Sequence, residues 1–169
     1  MGVAGCGKSA LGRELAARLG WRFKDGDELH TPAAIAKMRA GQPLDDLDRA
    51  PWLQAVAGWI DARRAEGGAG VVTCSALKRA YRDRLAAGRP QVTFVFIALD
   101  PEAAAARIAG RTGHFFPALL LASQFADLEP PADDEPVIRL DGTLPTTALA
   151  QAVVARLGRA ARTPKEPRR

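Results

Sequence analysis

Gly2-Val3-Ala4-Gly5-Cys6-Gly7-Lys8-Ser9 decides the fold. The run satisfies the spacing G-x-x-x-x-G-K-S/T at every fixed position, and an amphipathic pattern (Leu11, Leu15, Leu19) follows at once. The residue types carry the chemistry. Glycines let the backbone curl until successive N–H groups point at phosphate oxygens, and the next helix aims its positive end at the same place. The run, with Ala10 behind it, is therefore assigned as a nucleotide-phosphate cradle. Lys8 would reach the β- and γ-phosphates of ATP, and the Ser9 hydroxyl would ligate Mg²⁺. The plainer reading is a Gly-rich turn, and the helix directly behind the run argues against it.

Outward from that loop, helices alternate with short apolar strands, which predicts a parallel α/β sheet. Helices are expected over 8–19 (stopped by Gly20), 32–40 and 77–87, with a longer one beginning near Pro51 that carries Trp52, Val56, Trp59 and Ile60 on one face. Strands are expected over 21–24, 71–74, 92–99 and 137–140. Asp100-Pro101-Glu102 opens another helix, and Thr146 or Thr147 is expected to cap the last one. The stretch 112–136 is punctuated by Gly and Pro and has room for one short helix. A phosphate loop of this kind joins a strand to a helix, yet only Met1 precedes Gly2. The expectation is that Met1 ends a central strand encoded upstream of a start codon placed too late.

Composition narrows the class. At 169 residues the chain is one domain, and 47% hydrophobic with 25% charged residues is ordinary globular usage. No apolar run approaches the roughly 20 residues of a membrane helix, and the Gly-rich start does not read as a signal peptide, so a cytoplasmic protein without a membrane partner is expected. Cys6 and Cys74 make neither a disulfide framework nor a metal-ligand spacing. The net charge of +5 resides entirely in residues 156–169, which hold six basic residues and one acid. With no aromatic residue interleaved there to stack on bases, that segment reads as a solvated end, and no nucleic-acid partner is expected. The chain is too short for a motor or switch NTPase and lacks an N-K-x-D guanine signature, which leaves the small-molecule and nucleotide kinases.

Asp25-Gly26-Asp27 follows the second expected strand, and carboxyl ends of strands face the ligand crevice in such sheets. Two acids one residue apart point the same way from an extended backbone. Asp25 would serve the metal shell, while Asp27 would accept the proton of an acceptor hydroxyl or orient it. The alternative is a plain Asp-Gly turn.

The run Asp25-Gly26-Asp27-Glu28-Leu29-His30 resembles the D-G-D-x-L-H signature of the thermoresistant, P-loop type gluconokinase family. The resemblance continues through Lys37-Met38, Gly41-Gln42-Pro43-Leu44, Asp46, Asp48-Arg49 and Pro51-Trp52-Leu53. It resumes at Cys74-Ser75-Ala76-Leu77-Lys78 with Tyr81-Arg82-Asp83, at Gly113-His114-Phe115-Phe116, and at Ser123-Gln124-Phe125 with Leu128-Glu129. It implies phosphorylation of the 6-hydroxyl of D-gluconate by ATP with Mg²⁺. It also implies the three-layer P-loop kinase fold shared with shikimate kinases: a parallel sheet, normally of five strands and here apparently without its first, and a small helical lid at about 112–131. The kinase domain would span 1–158, with 159–169 a basic tail. Bacterial relatives are often homodimers, so a homodimer is one expected assembly. Ala34 departs from the family, which usually has Asn there.

The resemblance also nominates the substrate side. Arg49, Lys78 and Arg82 are the motif-borne cations for a sugar-acid carboxylate, each with a solvent-exposed charge as its plainer reading. The N–H groups of Ser75-Ala76-Leu77, read as a helix start, could face the same anion. His30 would bond a sugar hydroxyl or serve structure alone. Arg111 is the candidate lid cation on the transferring phosphoryl, with Arg107 one turn earlier as a nucleotide contact. Phe115 and Phe116 would pack the lid, and Asp141-Gly142-Thr143 would border adenine. A kinase for another acceptor (shikimate, another sugar acid, a nucleoside monophosphate) and a nucleotide-binding protein without turnover are the competing readings.

Overall fold

The computed structural model describes residues 1–110 and 118–160. The phosphate loop runs into α1 (Lys8–Leu19), followed by β1 (Arg22–Lys24), a short 3₁₀ turn (Gly26–Leu29), α2 (Pro32–Arg39), α3 (Asp46–Ala65), β2 (Gly70–Val72) and α4 (Arg79–Ala86). Then come β3 (Phe94–Ala98), α5 (Pro101–Ala109), α6 (Ala118–Asp127), β4 (Val137–Asp141) and α7 (Thr146–Ala160). All described pairing is parallel. β1 lies beside β2 with Phe23 opposite Val71, and β3 beside β4 with Phe96 opposite Arg139. The two pairs are separate half-sheets, and Met1 and Gly2 lie between them, bonded to Val95 and Ile97 on one side and to Ser75 on the other.

Alternation along the strands sorts the core into two layers. Val71, Val95 and Ile97 join Leu11, Leu15, Leu149 and Val153 on the face covered by α1 and α7. Val72 and Phe94 turn to the other face, where α3 and α4 bring Trp52, Leu53, Val56, Tyr81 and Leu85. A helix–sheet–helix sandwich follows from that division. No helix among the described residues is long and apolar enough to cross a membrane.

Helix ends follow local chemistry. Gly20 closes α1 in the left-handed region at φ 66°. The Asp100 carboxylate accepts from the Ala103 N–H at 2.7 Å and starts α5 where expected. α3 starts at Asp46, well before Pro51, because Asp45 and Asp48 form a reciprocal capping box upstream. Two expected starts are corrected. α4 begins at Arg79, so Ser75-Ala76-Leu77 is not a helical N-terminus; Ala76 instead sits at φ 43°, a strained value for a residue with a side chain. Thr146 is already helical in α7, whose first turn closes on the Pro145 carbonyl, so neither threonine is its cap.

Arg82 is the second kind of correction. Its side chain is 2% exposed and held by the protein. Nε and one terminal nitrogen donate to the Glu135 carboxylate at 2.5 and 2.8 Å, and the other nitrogen donates to the carbonyls of Ala76, Leu77 and Glu129. Four of its five N–H groups are taken up in this way. This guanidinium ties the strained Ala76 loop to the segment between α6 and β4.

Removing one member of a buried pair strands the other charge. Arg82→Met should therefore lower unfolding free energy by about 3 kcal/mol or more in urea titrations. The arginine beside Glu135 holds its carboxyl down at about 2, against an ordinary 4.5. That contribution is complete above about pH 4.5 and is lost as pH falls toward 2, so the acid limb of the stability profile should flatten in Glu135→Gln.

Candidate active site

The phosphate loop owes its shape to its glycines, Gly2 at φ 134° among them. Gly5 has φ 80°, and a Cβ there would stand 2.8 Å from the Ala104 carbonyl oxygen; Gly7 has φ 98° and precedes α1. Lys8 Nζ donates to the Val3 carbonyl at 2.8 Å, so the ammonium folds over its own loop. The Ala4 N–H donates to Gln124 Oε1 at 2.7 Å, which brings α6 against the loop. Cys6 is buried beneath it.

Asp25 meets this loop directly. Its Oδ1 accepts from the Thr73 hydroxyl at 2.8 Å and from the Asp27 N–H at 3.3 Å, the Ser9 hydroxyl lies near enough to favour the charged form, and Arg13 stands 3.8 Å away. Burial pushes the Asp25 carboxyl up, but the Ser9 and Thr73 hydroxyls, the Asp27 N–H and Arg13 together outweigh it and hold it below its ordinary value. The carboxylate is thus ionised and adjacent to the residue after the cradle lysine.

The D-G-D run is not extended as expected. Asp25 caps the 3₁₀ turn and Asp27 lies within it, exposed. The reason is Gly26, whose N–H donates to Thr73 Oγ1 at 3.0 Å where the chain crosses the end of β2. A Cβ on Gly26 would lie 1.9 Å from the Thr73 carbonyl oxygen. Gly26 also offers its carbonyl to Trp52 Nε1 at 2.7 Å, and the His30 ring stacks on Trp52 at 4.4 Å between centroids. His30 Nδ1 is buried without a partner in the protein. Burial lowers the His30 pKa, Asp27 opposes this and Arg49 adds to it, so the ring is neutral at pH 7.

Two of the three expected carboxylate-binding cations gather beside this wall. Arg49 is 6% exposed and donates from Nε to the Leu44 carbonyl at 3.2 Å. Its terminal nitrogen and Lys78 Nζ each stand 3.7 Å from Asp127 at the end of α6. Lys78 also donates to Asp46 at 2.7 Å, and that bond raises its pKa. Ala34 is buried in the first turn of α2, its N–H capped by the Thr31 hydroxyl. Arg107 donates to the Gly142 carbonyl at 2.6 Å, joining α5 to the Asp141-Gly142-Thr143 turn. Arg111, Gly113, His114, Phe115 and Phe116 lie outside the described residues, as does the tail beyond residue 160.

Sequence reasoning missed Thr73, Gln124 and Asp127 as parts of the site. Gln124 and Asp127 lie in or beside the Ser123-Gln124-Phe125 and Leu128-Glu129 blocks, so a signal existed for them. Thr73 gave none: it is one hydroxyl at the end of an apolar strand.

Gly26→Ala should lower the melting temperature sharply, because the clash is with backbone rather than a movable side chain. Gly58→Ala, inside α3 with open space at its Cβ, should instead stabilise by about 0.5–1 kcal/mol. Calorimetry on the two variants checks both signs.

Comparison with known proteins agrees with this geometry. The family model described as shikimate kinase matches residues 4–124. A gluconokinase of Gluconobacter oxydans is 51% identical over 142 residues, covering 84% of this chain and 80% of that protein. The thermoresistant gluconokinase of Escherichia coli is 40% identical over 155 residues, covering 91% and 89%. Among solved structures, a gluconokinase from Sinorhizobium meliloti superposes with a TM-score of 0.86 at 41% identity, covering 95% of this chain and 90% of that one. With the phosphate loop, the D-G-D turn and the arginine–lysine wall in one place, the chain belongs to the shikimate-kinase-like family of P-loop kinases, among the gluconokinases.

Proposed function

We propose that this chain is a cytoplasmic gluconokinase that transfers the γ-phosphoryl group of ATP to the 6-hydroxyl of D-gluconate. The observation that carries the reading is Asp25, bonded by the Thr73 hydroxyl and with the Ser9 hydroxyl near enough to favour its charged form, so that the D-G-D turn lies beside the phosphate loop. The high identity to gluconokinases over most of the chain supports gluconate as the acceptor.

Each residue has work suited to its position. The loop N–H groups and Lys8 would hold the β- and γ-phosphates. Ser9 and Asp25 fit Mg²⁺, which takes few protein oxygens and keeps water and phosphate in its other positions; when bound it would neutralise charge between the β- and γ-phosphates. Asp27, exposed beside that pair, would accept the proton of the 6-hydroxyl as its oxygen bonds to the γ-phosphorus and the bond to the β–γ bridging oxygen breaks. The transition state is loose, so placing the hydroxyl in line matters more than removing its proton early. His30, neutral and with a free buried nitrogen, would bond a hydroxyl of the sugar chain. Arg49 and Lys78 would take the carboxylate now matched by Asp127. Arg107 and the Gly142 turn would border adenine, and Arg111 would close over the transferring group.

An acceptor panel with a coupled ADP-release readout tests the assignment: gluconate should turn over, with shikimate and nucleoside monophosphates at background. Turnover of shikimate or a nucleotide without gluconate overturns it, and ATP binding with no turnover on any acceptor favours a binding protein. Asp27→Asn should lower kcat about 100-fold or more with little change in KM for gluconate. Arg49→Met should raise that KM by at least 10-fold, because it removes an interaction made equally in the ground and transition states.

A further inference from the structure

Asp46 is the first residue of α3, beside the arginine–lysine wall, and its carboxylate is only half used. Oδ1 accepts from Lys78 Nζ at 2.7 Å and from the Tyr81 hydroxyl. Among the described residues nothing donates to Oδ2, and the residue is exposed. Lys78 and then Tyr81 hold the Asp46 carboxyl below its ordinary value, so it is ionised and can only accept. Lys78 is shared. The same ammonium stands 3.7 Å from one oxygen of Asp127, whose other oxygen is 3.7 Å from Arg49. One ammonium thus lies between an anion that an incoming carboxylate would replace, Asp127, and an anion that stays, Asp46.

We propose that Asp46 is a specificity-determining residue that reads the hydroxyl on the carbon next to the substrate's carboxylate, a role that rests on Arg49 and Lys78 being the site of that carboxylate. Two acceptors on neighbouring protons of one ammonium stand about 4.5 Å apart. Covalent geometry keeps a hydroxyl on the adjoining carbon close to one carboxylate oxygen. With that oxygen on Lys78, the hydroxyl comes within hydrogen-bond reach of Asp46, about 2.5–3.0 Å. It donates to an ionised acceptor, which is the stronger kind of hydrogen bond. A keto oxygen on the same carbon has only lone pairs to set against the carboxylate and is repelled. A methylene there leaves Asp46 to water. The site therefore selects 2-hydroxy acids and works against their 2-keto counterparts.

Two observations fit Asp46 for this task beyond balancing the charge of Lys78. The buried Tyr81 donates to the same oxygen as Lys78, which fixes the carboxylate and leaves Oδ2 with its lone pairs open. The helix does not need Asp46 to start, because Asp45 and Asp48 already form the capping box and share Lys37. Of the three aspartates in this turn, Asp46 is the one that bonds Lys78.

The test measures kcat/KM by coupled ADP release for D-gluconate, its 2-deoxy analogue and its 2-keto analogue, in the unsubstituted chain, in Asp46→Ala and in Asp46→Asn. The 2-deoxy acid has the same carboxylate and nothing to read at the next carbon, so it records any disturbance of Lys78 and serves as the reference. Against that reference, gluconate should be favoured about 10-fold or more in the unsubstituted chain and less than about 3-fold in Asp46→Ala. Asparagine keeps an oxygen for Lys78 and Tyr81 and puts an N–H donor where Oδ2 stood. Asp46→Asn should therefore raise the 2-keto acid by about 10-fold or more against the same reference. Equal changes on all three acids, with gluconate still phosphorylated, overturn the proposal and leave the gluconokinase reading standing. Turnover of none of the three by the unsubstituted chain overturns both.

Discussion

The structure turns on the crossing of Gly26 over the end of β2. Thr73 sits at the centre of it: its hydroxyl accepts from the Gly26 N–H, donates to Asp25, and its carbonyl leaves no space for a side chain on residue 26. One close backbone approach thereby sets three things. It aims Asp25 at Ser9, turns Asp27 outward, and presents the Gly26 carbonyl to Trp52, on which His30 stacks. Asp25, Asp27 and His30 are thus positioned by the same close approach.

The site is assembled from chain segments that each hold a partner in advance. Arg49 and Lys78 share Asp127, Lys78 and Tyr81 share Asp46, and Gln124 reaches the phosphate loop from α6. Such prior pairing holds these side chains in place before any ligand arrives. Arg82 belongs to the same frame at one remove, since it fixes the loop through Ala76 to the chain that leaves α6.

Much of this was legible in the residues. The phosphate loop and D-G-D run name their chemistry because few residue types can perform it, and the helix with Asp100 in front announced itself by capping, whereas the Asp45–Asp48 box went unread and α3 was expected to start near Pro51. What stayed hidden depends on through-space partners. Arg82 and Arg49 look alike in sequence, and only Glu135, more than fifty residues away, decides that the first serves structure. The 3₁₀ turn at Gly26 could not be foreseen, because its cause is a carbonyl on another strand.

Asp127 gives the pocket an occupant of its own. A negatively charged group already stands at salt-bridge distance from both Arg49 and Lys78, so any newcomer must compete with an internal anion. On the proposed binding of the acceptor's carboxylate by Arg49 and Lys78, a neutral hexose brings nothing to exchange for Asp127, whereas an aldonic acid trades like for like. Under that proposal, discrimination against uncharged sugars needs no clash or gate, because Asp127 already satisfies the two cations.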